Sequence, residues 1–306
     1  MNPSSSTKKI YLYGMVCQST IHRLGGVFPK LDTYGEIAES FFLPGGEAGN
    51  SAVVLKNLGY DVKLEGPFLG TRTQAPVTEF YSARGIDVSG MKFDASFGGV
   101  EDLVLVAEGS RTVFGAYAHY FTIPTERWQA PDESAIAASD IVGLDPFFKA
   151  ESDLVVHLCV KHAVPYVTID CEPDCFMAEN AAALVMSNEY IQNKHAGENL
   201  DELHRRYTER TAGLVMFTFG GRDILFGRKG GAIAHMKPYE VKVVSTLGAG
   251  DTFRAGIMHG ILTGGGDAEI VKRGAAMAGC VCTKFPIGFN PPSGDEIDAL
   301  IAAQPR

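Results

Sequence analysis

The chain has 306 residues, 45% hydrophobic and 21% charged, with a formal net charge of −9. That composition belongs to a globular protein with material for a sizeable core, and the length suits one large α/β domain or a domain with an appendage. The acidic balance argues against nucleic acid or an anionic membrane as the main partner, yet leaves room for a locally positive nucleotide site.

From the amino end, residues 9–16 read as a first strand ending near Gly14. Residues 18–42 lack helical periodicity, and 34–42 look like strand exposed on one face. The Gly-rich turn Pro44–Asn50 then opens a helix over 51–58 that stops at Gly59. A strand over 60–69 and a helix over 77–84, closed by Gly85, follow. Residues 100–106 and 111–114 flank Glu108-Gly109-Ser110, the pattern of a hairpin. Strands and helices then alternate. Strands are expected at 141–144, 166–170, 183–187 and 214–219, with helices at 150–162 and 200–210. A hairpin is expected around Gly230-Gly231, then a strand at 241–244 and helices at 253–262 and 268–284.

This alternation predicts a three-layer α/β/α core with a mostly parallel sheet, built from residues 1–17, 44–90 and 119–306. The excursions at 18–43 and 91–118 predict a small β-sheet lid. Ligands of such sheets lie past the carboxyl ends of the strands, where both Gly-rich turns are expected. Cys17, Cys159, Cys171, Cys175, Cys280 and Cys282 are scattered in or beside apolar runs, which fits a reducing cytoplasm. The polar amino end and the lack of any membrane-length apolar stretch agree with a cytoplasmic location.

The turn Ser245–Phe253 carries the chemistry. Its glycines let backbone amides converge on an anion at a helix amino end, and Asp251 adds a carboxylate beside them. An anion-binding loop alone has no use for that carboxylate, whereas phosphoryl transfer to a hydroxyl needs both a charge-stabilising site and a base. The plain alternative is a turn in which Asp251 caps the helix.

Taken together, the two turns resemble the ribokinase or PfkB family of carbohydrate and nucleoside kinases. Ser245–Gly256 is similar to the carboxyl-terminal signature of that family, most like its ketohexokinase-type members, and Gly45–Ala52 to the amino-terminal one. The resemblance implies a ribokinase-like fold with ATP and Mg2+. Asp251 would be the base, and the turn Gly248-Ala249-Gly250-Asp251 would offer the amides of Ala249, Gly250 and Asp251 as an anion hole. Ser19, Gly45, Gly46, Asn50 and Arg111 would contact the acceptor. Asn188, Thr218, Phe219, Gly220, Gly221, Thr246 and the segment Ala276–Gly279 would lie along the nucleotide, and Glu189 would serve Mg2+.

Some positions depart from the family pattern. Ser19 stands where many members have an Asp that holds two sugar hydroxyls. Ile191 takes the place of a Glu that organises Mg2+, and Ser245 replaces an Asp associated with monovalent-cation use, which argues against dependence on such a cation. Glu47 adds a negative charge that disfavours a phosphorylated acceptor. Cys171–Cys175 lacks a second ligand pair, and His157 and His162, five apart, do not share a helix face, so neither reads as a metal site. The expected activity is ATP-dependent phosphorylation of a small sugar or sugar acid, with a homodimer through the lid. The alternatives are a nucleoside kinase of the same family and a catalytically weak sugar- or nucleotide-binding protein on that fold.

Overall fold

A computed structural model describes residues 7–304. In chain order the elements are β1 (Lys9–Tyr13), β2 (Cys17–Leu24), β3 (Ile37–Gly45), α1 (Glu47–Asn57), β4 (Asp61–Glu65) and α2 (Gln74–Ser82). They continue as β5 (Glu101–Ala107), β6 (Ser110–Gly115), α3 (Tyr117–Thr122), α4 (Glu133–Ala137), β7 (Ile141–Leu144) and α5 (Lys149–His162). Then come β8 (Tyr166–Ile169), α6 (Phe176–Glu179), β9 (Ala183–Ser187), α7 (Asn188–Lys194), α8 (Leu200–Arg210) and β10 (Leu214–Phe219). Last are β11 (Arg222–Gly227), β12 (Ala234–Met236), α9 (Ala249–Leu262), α10 (Asp267–Cys282) and α11 (Gly294–Ala303).

The main sheet has the order β12-β11-β10-β9-β8-β7-β1-β4. It is parallel from β10 to β4, and β11 and β12 are antiparallel additions at one edge. Successive side chains of a strand point to opposite faces, and β1 shows the consequence. Ile10 and Leu12 enter a core shared with α1, α9 and α10, while Tyr11 and Tyr13 enter a second core with α5 and α8. The sheet is therefore covered on both faces, the expected three-layer arrangement. A separate sheet of order β3-β2-β5-β6 carries its own small core of Ile21, Leu43, Val104 and Val106, which rests on Leu247 and Phe285.

Several boundaries differ from the sequence reading. Residues 241–244 are not a strand, and Val243 and Val244 are 49% and 37% exposed. The Val244 amide instead donates to the Cys282 carbonyl at the end of α10 (2.7 Å). The apolar, β-branched composition misled here because the segment has no neighbouring strand to pair with. α1 starts at Glu47 and α9 at Ala249, each earlier than expected, since nothing after the preceding glycine opposes helix. Residues 91–100 lie against the main core through Met91 and a Leu69–Phe93 bridge, so β5 begins only at Glu101. α11 was not anticipated, although Ser293 and Glu296 form a full capping box at its start.

The chain leaves β1 towards β4 on one side and later fills β7 to β10 on the other. The strand order thus reverses between β1 and β7, where open α/β sheets place their ligand crevice. Asp145 directly follows β7 at that point. Its Oδ2 accepts the Met15 amide after β1 (2.7 Å), and its Oδ1 pairs with the Arg254 guanidinium from α9. Asp145 and Arg254 are 0% and 1% exposed. Arg254 also donates from Nη2 to Ser51 Oγ on α1 (3.0 Å). Two strands and two helices are thereby fixed at one place.

Removing one member of a buried ion pair strands the other charge, which costs about 3–5 kcal/mol. Arg254→Met is expected to lower the unfolding free energy in chemical denaturation by about that amount, and Asp145→Leu with Arg254→Met to regain part of it. An Arg254→Met variant as stable as the parent would contradict this role for the pair.

Candidate active site

α9 opens on Gly248, whose φ of +76° lies in the left-handed region that glycine adopts without strain. A Cβ there would also stand 2.9 Å from Ile287 Cδ1. The first amides of a helix have no carbonyl inside it to bond. The Ala249 amide donates to the Thr246 carbonyl (3.2 Å), so of the three amides expected to hold an anion, those of Gly250 and Asp251 remain. A side chain built on Gly250 would meet nothing within 4 Å, so this helix end faces open space.

Asp251 lies in the first turn of α9 and is not its cap, which excludes the plain N-cap reading. Its Oδ2 accepts Asn50 Nδ2 (2.7 Å), a bond that joins α1 to α9. Burial pushes its carboxyl up to about 6. The Asn50 bond and the charges of Arg254 and Arg111 pull the other way, and Asp145 adds to the upward push. The result is a carboxylate that is ionised at neutral pH yet keeps appreciable basicity.

The first Gly-rich turn is built differently. Gly46 has φ +91°, and a Cβ on it would stand 2.5 Å from the Met15 carbonyl. That carbonyl accepts the amides of Ala48 (3.2 Å) and Gly49 (3.3 Å), so the amino end of α1 is satisfied by backbone and does not offer itself to an anion. What this turn presents is side chains. Ser51 Oγ lies 2.8 Å from the Glu47 carbonyl and 3.1 Å from the Asp251 carbonyl, a second tie between the two helices. Ser19 Oγ and Asn50 Oδ1 stand 3.0 Å and 3.9 Å from the point where a Gly45 side chain would begin. Ser19, Gly45, Asn50 and Asp251 thus line one continuous strip. Glu47, half-buried, is pushed up to about 8 by burial and by the charges of Asp145 and Asp251. Its carboxyl is therefore far less acidic than an ordinary glutamate, which blunts the negative charge expected from sequence.

The small sheet covers this strip. The Thr246 amide donates to the Gly109 carbonyl at the β5–β6 turn (3.0 Å), and Phe41 meets Phe285 edge-on with centroids 5.2 Å apart. Arg111 on β6 is close enough for its charge to act on Asp251. Ser245 is buried, and its Oγ accepts the Leu247 amide within its own loop (3.1 Å).

On the far side, Thr218 ends β10 and bonds the Met186 carbonyl (3.3 Å). Gly220 (φ +65°) and Gly221 form the open β10–β11 turn, and Asn188 Oδ1 accepts Arg222 Nη2 beside it (3.0 Å). Two expectations change. Ala276 is fully buried in the core and supplies packing rather than a ligand contact, and Gly279 faces Leu300 and Tyr239. Ile191 is likewise a core residue, whereas Glu189 is exposed. Near Glu189, Asp170 is held by the Ser187 amide (2.6 Å) and hydroxyl (2.8 Å), and burial, with the charges of Glu189 and Asp145, pushes it up to about 6. Sequence reasoning passed over Asp145, Arg254 and Asp102, whose neighbours are distant in the chain. The available signal was that Arg254, a charge, interrupts the apolar run of α9.

Residues 32–292 match the family model described as pfkB family carbohydrate kinase. A 5-dehydro-2-deoxygluconokinase from Bacillus licheniformis is 31% identical over 114 residues, which are 37% of this chain and 35% of that protein. The match therefore spans about a third of that curated relative's length. Among solved structures, the ribokinase of Arabidopsis thaliana complexed with ribose and ATP superposes with a TM-score of 0.78 at 15% identity, covering 97% of this chain and 99% of that one. A nucleoside kinase of Methanocaldococcus jannaschii gives 0.74 at 19% identity, covering 98% and 100%. Likeness at that identity shows the fold. With the family model matched across most of its length, the chain belongs to the pfkB family of carbohydrate kinases.

Proposed function

We propose that this chain transfers the γ-phosphoryl group of ATP to a hydroxyl of a small sugar or sugar acid. The observation that carries this reading is the Asp251 carboxylate beside the open Gly250 and Asp251 amides, with Asn50 fixing its orientation. The acceptor lies along the strip of Ser19, Gly45 and Asn50, with one hydroxyl against Asp251. Asp251 takes the proton from that hydroxyl as its oxygen bonds to the γ-phosphorus. The bond from that phosphorus to the β–γ bridging oxygen breaks, and ADP leaves. The amides and the positive end of the α9 dipole stabilise the negative charge on the transferred group. The turn Phe219–Arg222 and the loop at Thr246 bound the nucleotide, and the small sheet, seated on Leu247 and Phe285, excludes water.

Asp170 and Glu189 are neighbouring carboxylates, the oxygen donors that a hard divalent cation takes. They would hold Mg2+, which would supply charge neutralisation to the phosphates. The Ser245 hydroxyl, engaged within its own loop, supports independence from a monovalent cation. The name 5-dehydro-2-deoxygluconokinase, carried by two of the similar proteins, is a reason to include that kinase's acceptor among those tried.

The outer face of the small sheet offers a dimer contact. Phe42, Thr20, Leu103 and Phe114 form one row across its four strands, and Phe42 and Phe114 are 61% and 50% exposed. A contiguous apolar patch of this kind suits pairing with a second copy.

Asp251→Asn is expected to lower kcat for sugar-dependent ADP release by about 10²–10⁴-fold, the usual worth of a general base. Turnover near the parent value would remove Asp251 from the mechanism. Because only the ionised form accepts the proton, kcat/KM for the acceptor should rise with pH through about 6 and then level off. A profile flat from pH 5 to 8 would contradict that assignment. Light scattering should show a dimer that Phe114→Asp converts to monomer, and a monomeric parent protein would exclude pairing through this face.

A further inference from the structure

The acceptor strip ends at a carboxylate that phosphoryl transfer does not use. Asp102 on β5 pairs in register with Ser19 on β2, and across β5–β6 with Gly115. Residues so paired share a face of the sheet. On this face lie Ile21, Val104 and Val106, the ones packed down onto the core. Asp102 therefore points from the small sheet towards the acceptor strip. Its Oδ2 accepts the Tyr117 hydroxyl (2.6 Å) and lies 3.5 Å from Cys17 Sγ, which in turn is 3.6 Å from Ser19 Oγ. Its Oδ1 is buried and, among the described residues, has no hydrogen-bond partner.

A carboxylate oxygen withdrawn from water without a donor is unfavourable. Here its partner oxygen is pinned, so the group is held with one acceptor free. The pinning is built into the backbone. A Cβ on Gly115 would stand 2.5 Å from Tyr117 Cε2, so the glycine is what allows that ring to lie beside Asp102. From Asp102 the same face continues to Ser19, its partner in register, and past the empty side-chain position of Gly45 to Asn50 and Asp251.

We propose that Asp102 selects the acceptor. Its free Oδ1 receives hydrogen bonds from hydroxyls at the end of the sugar remote from the one that Asp251 deprotonates, and the acceptor is a neutral polyhydroxyl compound rather than a sugar acid. This rests on the kinase reading above and narrows its substrate class. A carboxylate on the sugar placed at Asp102 would meet a like charge. Arg254 is already committed to Asp145. Arg111 pairs with Val106, four residues further along β5, roughly 13 Å away at the rise of a strand.

The test is ADP release and calorimetric binding with a panel of neutral pentoses, hexoses and polyols and the matching aldonic acids, for the parent protein and Asp102→Asn. The parent should favour a neutral acceptor over its acid at least tenfold in kcat/KM. Asp102→Asn should raise KM for that acceptor at least tenfold, with kcat within threefold and KM for ATP unchanged, the last showing an intact fold. An unchanged acceptor KM, a loss confined to kcat, or a parent preference for the acid would each overturn the proposal. If the parent turns over nothing, the kinase reading fails, and calorimetry still decides on Asp102. Sugar binding weakened at least tenfold by Asp102→Asn would support it, and sugar binding that is absent or unaltered would overturn it.

Discussion

The buried pair between Asp145 and Arg254 is the constraint on which the rest of the site depends. It sits where the strand order reverses, so the crevice forms around it. Asp145 holds the chain leaving β1, and Arg254 holds α9 and, through Ser51, α1. Both Gly-rich turns are therefore referenced to one fixed point. The pair is paid for by desolvation of two charges, and its geometric return is the alignment of Asp251 with Asn50 across two helices.

The same pair sets the electrostatics of the base. Burial, and to a smaller extent the charge of Asp145, push the Asp251 carboxyl up. Arg254 beneath it, Arg111 from the small sheet and the Asn50 amide counter that tendency. Glu47, with less compensation, is pushed further up, by burial first and then by the charges of Asp145 and Asp251. Two carboxyls within one pocket are thus pushed up to different extents, to about 8 for Glu47 and about 6 for Asp251, and the less shifted one is suited to serve as a base. The two helix amino ends are divided in the same way. The first amides of α1 are consumed by the Met15 carbonyl, while α9 leaves its own open, so an anion is directed to the second turn only.

Much of the fold was legible from local pattern. Strands β7, β9 and β10 are continuous apolar runs with clear ends, and α8 announces itself through Asn199, whose side chain accepts the Asp201 and Glu202 amides. The β5–β6 turn was legible from Gly109 between two apolar runs, whereas the positive φ that Glu108 also takes there could not be read from its type. The run at 241–244 was misread because composition reports β propensity and not the presence of a partner strand. Within the site, the glycines and Asp251 could be read because their spacing is local. Asp145 and Asp102 could not, because their significance arises from strand register. Asp102 meets Ser19 across 83 intervening sequence steps only when β2 and β5 pair. Arg254 was visible as an oddity in an apolar helix, but its partner was not.

The central claim is that acceptor hydroxyl, base and anion site converge at the first turn of α9. A crystal structure with an acceptor that supports turnover, ADP and a phosphoryl mimic such as beryllium fluoride measures this directly. The acceptor hydroxyl is expected within about 2.6–3.2 Å of an Asp251 carboxylate oxygen, with the mimic bonded to the Gly250 amide. A mimic bound away from that amide, or an acceptor whose hydroxyls all lie beyond reach of Asp251, would contradict the account.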